Sequence, residues 1–156
     1  MKNWKIYALW IAVAEAVGAL SGWLTREGVR VYNETVTQPP FSPPSWVFPV
    51  VWGILFALMG FGAARVYLAP AGPDRTRGLK LYWTQLAFNF LWSLIFFNLR
   101  AYAFALVWLV ALWAMIWGML VAFRRVDRLA GWLQLPYLLW VSFAAYLTAG
   151  VWILNR

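Results

Sequence analysis

Apolar residues run along the chain in five long blocks: Ile6–Leu24, Trp46–Leu68, Leu79–Asn98, Tyr102–Phe123 and Ala130–Ile153. Most charged residues collect in the short segments between them. A helix that crosses about 30 Å of hydrocarbon needs roughly 20 mostly apolar residues. Backbone polar groups find no water there, so a helix that satisfies its own bonds is the default for such blocks. The period-two alternation of a membrane barrel is absent. The pattern predicts an all-α integral membrane protein, with five transmembrane helices in a single bundle over residues 1–156.

The connections are short except residues 25–45, which hold most of the punctuation. This segment ends in PPFSPPSWVFPVVW, residues 39–52, where five of fourteen residues are proline. Proline fixes φ and lacks a backbone donor, so the run forms neither helix nor ladder. Ser45 is placed to cap the second helix. Pro49 falls in its first turn, where a missing N–H costs little. The arm is either a rigid connection or a lid. Inside the fifth block, Pro136 is expected to kink the helix.

Composition sharpens the picture. The chain is 64% hydrophobic and 12% charged, against about 25% charged in an ordinary soluble domain. Histidine and cysteine are both absent. That removes disulfides, thiol or histidine-assisted nucleophiles, and most transition-metal sites, so no metal site is expected. The net charge of +8 lies in loops between spans, which favours a membrane over nucleic acid as its reason. Nine Lys and Arg residues fall on the side of the N-terminus and four on the other. By the positive-inside rule the N-terminus is cytoplasmic. The first apolar run exceeds the 7–15 residues of a signal-peptide core, so it is read as a retained span.

Chemistry is left to aromatic rings, amides and backbone, and tryptophan supplies 13 residues. Trp4, Trp23, Trp132 and Trp152 sit at span ends and read as interface anchors. Trp52, Trp92, Trp113 and Trp140 sit deeper. Gln85 and Asn89 lie one turn apart, with Trp92 and Phe96 continuing the same face. They form either an interhelical hydrogen-bond pair or the polar lip of a cavity. Glu15 is an acid near mid-span, a costly place for an isolated charge. Small residues line up as Ala14–Gly18–Gly22, Gly53–Ala57–Gly60–Ala64 and Ala114–Gly118–Ala122. Such stripes allow close helix packing, within the chain or between two copies.

Three blocks together resemble a known family. They are Pro43-Pro44-Ser45-Trp46-Val47-Phe48-Pro49-Val50-Val51-Trp52-Gly53, Tyr82-Trp83-Thr84-Gln85-Leu86-Ala87-Phe88-Asn89-Phe90-Leu91-Trp92, and Leu135-Pro136-Tyr137-Leu138-Leu139-Trp140. In this order on five spans, they are similar to the tryptophan-rich sensory protein or translocator protein family, also called the peripheral benzodiazepine receptor, in its bacterial form. The resemblance implies a five-helix bundle, commonly a homodimer in the bacterial cell membrane, with a pocket beneath the first loop. It implies binding of protoporphyrin IX or a related tetrapyrrole, and of benzodiazepine and isoquinoline carboxamide ligands. No obligatory cofactor is implied; porphyrin is the ligand.

Matched by position, the implied ligand-binding residues are Tyr32, Pro43, Trp52, Phe56, Asn89, Trp92, Trp140 and Ala144. Arg26 and Arg30 are candidate partners for porphyrin propionates. Three activities stay open: sensing or regulation, light-dependent porphyrin degradation, and transport. In the second, Trp52 and Trp140 are the rings that would carry the photochemistry. The sterol-recognition pattern of animal members is broken here, with Ala149 at its tyrosine position and Ile153 at its arginine position. Sterol binding through that motif is therefore not expected.

Overall fold

The computed structural model describes residues 3–156, which leaves Lys2 of the charge count outside the described residues. They form helices α1 (Asn3–Leu24), α2 (Arg26–Thr35), α3 (Val47–Leu68), α4 (Pro73–Ser93), a π-helical segment (Leu94–Asn98), α5 (Tyr102–Val126), α6 (Arg128–Trp132) and α7 (Leu135–Leu154). Four stretches are long and apolar enough to cross a membrane: α1, α3, α5 and Arg128–Leu154, which joins α6 and α7. The third predicted span does not join them. Its apolar residues are divided between α4, which begins among Asp74, Arg75, Arg77 and Lys80, and the separate π segment. These long apolar helices and the outward-facing Leu, Val and Trp side chains make this an integral membrane protein.

The most extensive helix pairings are α4 with α5, α1 with α3, and α5 with α7. A small residue sets one of these distances. A Cβ on Gly60 of α3 would lie 2.6 Å from Ile11 Cα of α1, so the two backbones touch. This is the close approach that substitutes in lipid for a water-driven hydrophobic effect. On the other side, Phe88 of α4 stacks on Trp108 of α5 at 4.1 Å, and the Trp108 indole donates to Phe88 O at 2.9 Å.

Three local expectations are corrected. Residues 25–45 are not all loop, because Arg26–Thr35 is helical. Arg30 donates to both Glu27 and Glu34, one turn to either side, and ties this polar helix along its exposed face. Ser45 does not cap α3. Trp46 holds the cap position without a side-chain bond, and Val47 N–H donates instead to Pro44 O at 3.0 Å. The arm thus starts the helix with its backbone. Pro136 does not bend a continuous helix but follows an interruption: the stretch Arg128–Leu154 turns at residues 133–134, between α6 and α7, and Pro136 falls in the first turn of α7, where its missing N–H costs little.

The proline arm is fastened to the end of α7. Asn155 accepts from Thr37 N–H at 3.0 Å and donates to Thr37 O at 2.7 Å. Tyr146 donates its hydroxyl proton to Pro40 O at 2.6 Å. Gly150 leaves the space that Pro39 fills, since a Cβ there would lie 2.5 Å from Pro39 Cβ. Phe41 completes the turn at φ 67°, with its ring 88% exposed.

At the far end of the bundle an ion pair ties α3 to the start of α6. Arg65 of α3 donates to Asp127 through Nε at 3.0 Å and Nη2 at 2.8 Å. Asp127 also accepts from Ala130 N–H at 3.0 Å, which caps α6. The Arg65 hydrogen bonds hold the Asp127 carboxyl below the usual carboxylate range, against the opposing effect of desolvation.

Candidate ligand cavity

A cavity of about 710 Å³ opens between α1, α3, α4 and α7, with α2 across one end. Such a volume is in the range of sites that bury drug-sized ligands, about 300–1,000 Å³. Helix direction explains its depth. The C-terminal halves of α1 and α4, the N-terminal half of α3 and the middle of α7, from Trp140 to Thr148, line it. Gly22 and Gly53 face open space, with no atom within 4 Å of a Cβ built on either. Gly18, by contrast, is covered by the Phe56 ring, 2.5 Å from where its Cβ would stand.

Seven of the eight residues matched by position line this cavity: Tyr32, Trp52, Phe56, Asn89, Trp92, Trp140 and Ala144. Pro43 does not. It belongs to the arm, while the neighbouring lining comes from Ser45, Trp46 and Phe48. The rings pair along the wall. Trp52 lies 5.6 Å from Phe56, Trp140 lies edge-on to Phe48 at 5.8 Å, and Trp92 stacks on Phe96 at 5.1 Å. Tyr32 packs on Phe96 and Phe97, both at 5.4 Å. Burial pushes its hydroxyl up to about 12, so it stays a neutral donor. Trp113, the other deep tryptophan, lies elsewhere and donates to Ser142 at 2.9 Å.

The two polar residues of α4 separate. Gln85 is fully buried beneath the cavity, and Asn89 lies on its lining. Both meet Tyr137 of α7: Asn89 donates to the Tyr137 hydroxyl at 2.7 Å, and that hydroxyl donates to Gln85 at 2.7 Å. Both sequence alternatives therefore hold in part. The interhelical bond exists, with Tyr137 as its hub, and one member reaches the cavity. Sequence reasoning missed Tyr137 as a partner. It noted Phe96 on the right face but did not assign it to the site. The Trp92 indole N–H is buried with no acceptor, although its ring lines the cavity.

At the rim, Arg26 lies over the Trp23 ring at 4.4 Å and donates to Trp23 O at 2.5 Å. Arg30 does not line the cavity; its guanidinium is held by Glu27 and Glu34. Among the described residues, Arg26 is the basic side chain that lines the cavity. Among the described residues, no group of three His, Cys, Asp or Glu side chains gathers to hold a metal.

The architecture is that of a membrane-embedded helical protein with one aromatic, mainly apolar cavity. The TspO/MBR family model matches residues 10–153, and the chain belongs to this family. It is 38% identical over 149 residues to the tryptophan-rich protein TspO of Chlorobaculum tepidum, covering 95% of this chain and 94% of that protein. Protein CrtK of Rhodobacter capsulatus is 36% identical over 151 residues, covering 96% and 92%. The human translocator protein is 35% identical over 149 residues, covering 93% and 88%.

Proposed function

We propose that the protein binds a tetrapyrrole of the protoporphyrin IX type in this cavity and acts as a membrane sensor or regulator of its level. The observation that carries the reading is the convergence of Trp52, Trp92 and Trp140 on one cavity, with the Asn89 amide beside them. A flat conjugated ligand gains most from indole faces, which offer large area with few rotatable bonds. Arg26 at the rim suits a propionate, and the unpartnered Trp92 N–H suits a ligand acceptor. Benzodiazepine and isoquinoline carboxamide ligands, also aromatic and mainly apolar, suit the same lining.

In this reading α4 and the π segment make the fifth crossing and the N-terminus is cytoplasmic in a bacterial cell membrane. The cavity then opens toward the outer side. The protein works as a homodimer. The Gln85–Tyr137–Asn89 network ties α4 to α7 beside the cavity, with Asn89 on its lining, which favours binding over passage. A second reading, light-driven degradation of bound porphyrin, draws support from Trp52 and Trp140 both lining the cavity. It predicts porphyrin loss under illumination that is faster with protein than in empty detergent, and slower in Trp140→Phe.

The first test is a dark titration with protoporphyrin IX in non-ionic detergent, followed by tryptophan quenching. Saturable one-site binding, weakened in Trp140→Phe and Asn89→Ala, is expected. Quenching that never saturates, or that ignores both substitutions, overturns the proposal.

A further inference from the structure

The chain has five carboxylates, all within the described residues. Four are matched to arginine: Glu27 and Glu34 to Arg30, Asp74 to Arg77 and Arg125, and Asp127 to Arg65. Glu15 is the exception. It makes no ion pair or hydrogen bond with any described residue, and it lines the cavity. An unmatched acid inside a membrane-spanning segment is expensive to keep. Its partner is therefore sought among what enters the cavity.

Position limits what that partner is. Glu15 is the first cavity residue along α1; Gly18, Ser21, Gly22 and Thr25 follow toward the outer end. Gly18, one turn on, meets the Phe56 ring. The carboxyl thus stands within about a turn of the level of Phe56, at the inner end of the cavity. Arg26, the basic side chain in the lining, lies past the end of α1 at Leu24, itself about 13 Å from Glu15 along the helix axis. It is turned to Trp23. A carboxylate with no protein cation nearby, on a wall that also carries Trp52 and Phe56, has the two components of a site for an organic cation. The acid supplies the counter-charge and the ring faces supply cation–π attraction.

We propose that Glu15 makes the inner end of the cavity a subsite for flat aromatic ligands that carry a protonated nitrogen. The ammonium or amidinium group meets the Glu15 carboxylate, and the ring system lies against Trp52 and Phe56. The subsite requires no macrocycle and no propionate, so it stands apart from the tetrapyrrole reading.

The test compares 9-aminoacridine, which is protonated at neutral pH, with acridine, its neutral counterpart. Both are titrated in non-ionic detergent by tryptophan quenching, on the native chain and on Glu15→Gln. The native chain is expected to prefer 9-aminoacridine. Glu15→Gln should weaken 9-aminoacridine by about tenfold, the scale of a hydrogen bond to a charged group, and leave acridine unchanged. The proposal is overturned if the native chain shows no preference, or if Glu15→Gln keeps the preference. It is equally overturned if the substitution weakens both dyes alike, which assigns Glu15 a structural part. Protoporphyrin titrated in parallel separates the two readings, because each can fail without the other.

Discussion

Tyr137 joins two helices through one oxygen. Its hydroxyl receives the Asn89 amide and donates to Gln85, and all three side chains are buried. Removing one partner from a buried polar pair costs about 1–3 kcal/mol, because the other group stays desolvated. Tyr137→Phe should therefore destabilise the bundle by about that amount, read as a lowered thermal unfolding midpoint in detergent. An unchanged midpoint would mean that the network adds nothing to stability. Half of this network was legible in the sequence, since Gln85 and Asn89 share a face at one-turn spacing. Its hub was not. Tyr137 is 48 residues from Asn89, and no local pattern announces a partner across that distance. The interfacial tryptophans were easier. Trp4, Trp23, Trp132 and Trp152 are all exposed, and each carries a cation over its ring, from Lys5, Arg26, Arg124 and Arg156.

Among the elements, the proline arm shows how a connection is made rigid. Its far end is set by the Pro44 carbonyl at the start of α3, and its near end by Asn155, Tyr146 and the notch at Gly150. Gly150→Val fills that notch and should lift Pro39 from α7. Proteolysis within residues 37–45 should then speed up severalfold while helix content holds; an unchanged rate would show that the notch does not retain the arm. The prolines themselves were plain in the sequence. The anchors were not, because they lie more than 100 residues away at the other end of the chain. For the same reason Ser45 looked like a cap, although a backbone carbonyl fills the place. Helix α2 was missed because its tie through Arg30 competes with a short, polar composition that reads as loop.

At the opposite end, Asp127 couples α3 to α6. Its folded pKa is depressed, so its contribution is present above the unfolded value, about 3.9. It is lost as pH falls through the folded value. Native-chain stability should drop below about pH 4 more steeply than that of Asp127→Asn, which lacks this titration. Parallel acid curves for the two proteins would contradict the assignment.

For the whole molecule, the chain divides its length between holding the bundle and leaving a space in it. Helix α5 contributes none of the cavity lining and packs against α4 and α7, while α1, α3 and α4 present one half each to the cavity and α7 its middle. The apolar blocks made the membrane class legible, and the family resemblance pointed to a shared site; depth in a span alone did not, since Trp113 is as deep as the others and lies outside the cavity. The number of crossings was less legible, because the third block carries its charge at one end and changes helix type at the other. Which lining residues face one another follows from tertiary contacts such as Gly18 with Phe56, and neither residue alone signals it.

The decisive measurement fills the cavity. Ala144 is 7% exposed and lines it, so Ala144→Phe puts a ring where ligand would lie. Protoporphyrin IX is titrated in the dark into the native chain and into Ala144→Phe, with circular dichroism to show that both are folded. Saturable binding to the native chain that falls at least tenfold in the folded variant is the expected result. Equal binding to both would place porphyrin outside the cavity and contradict its assignment as the tetrapyrrole site.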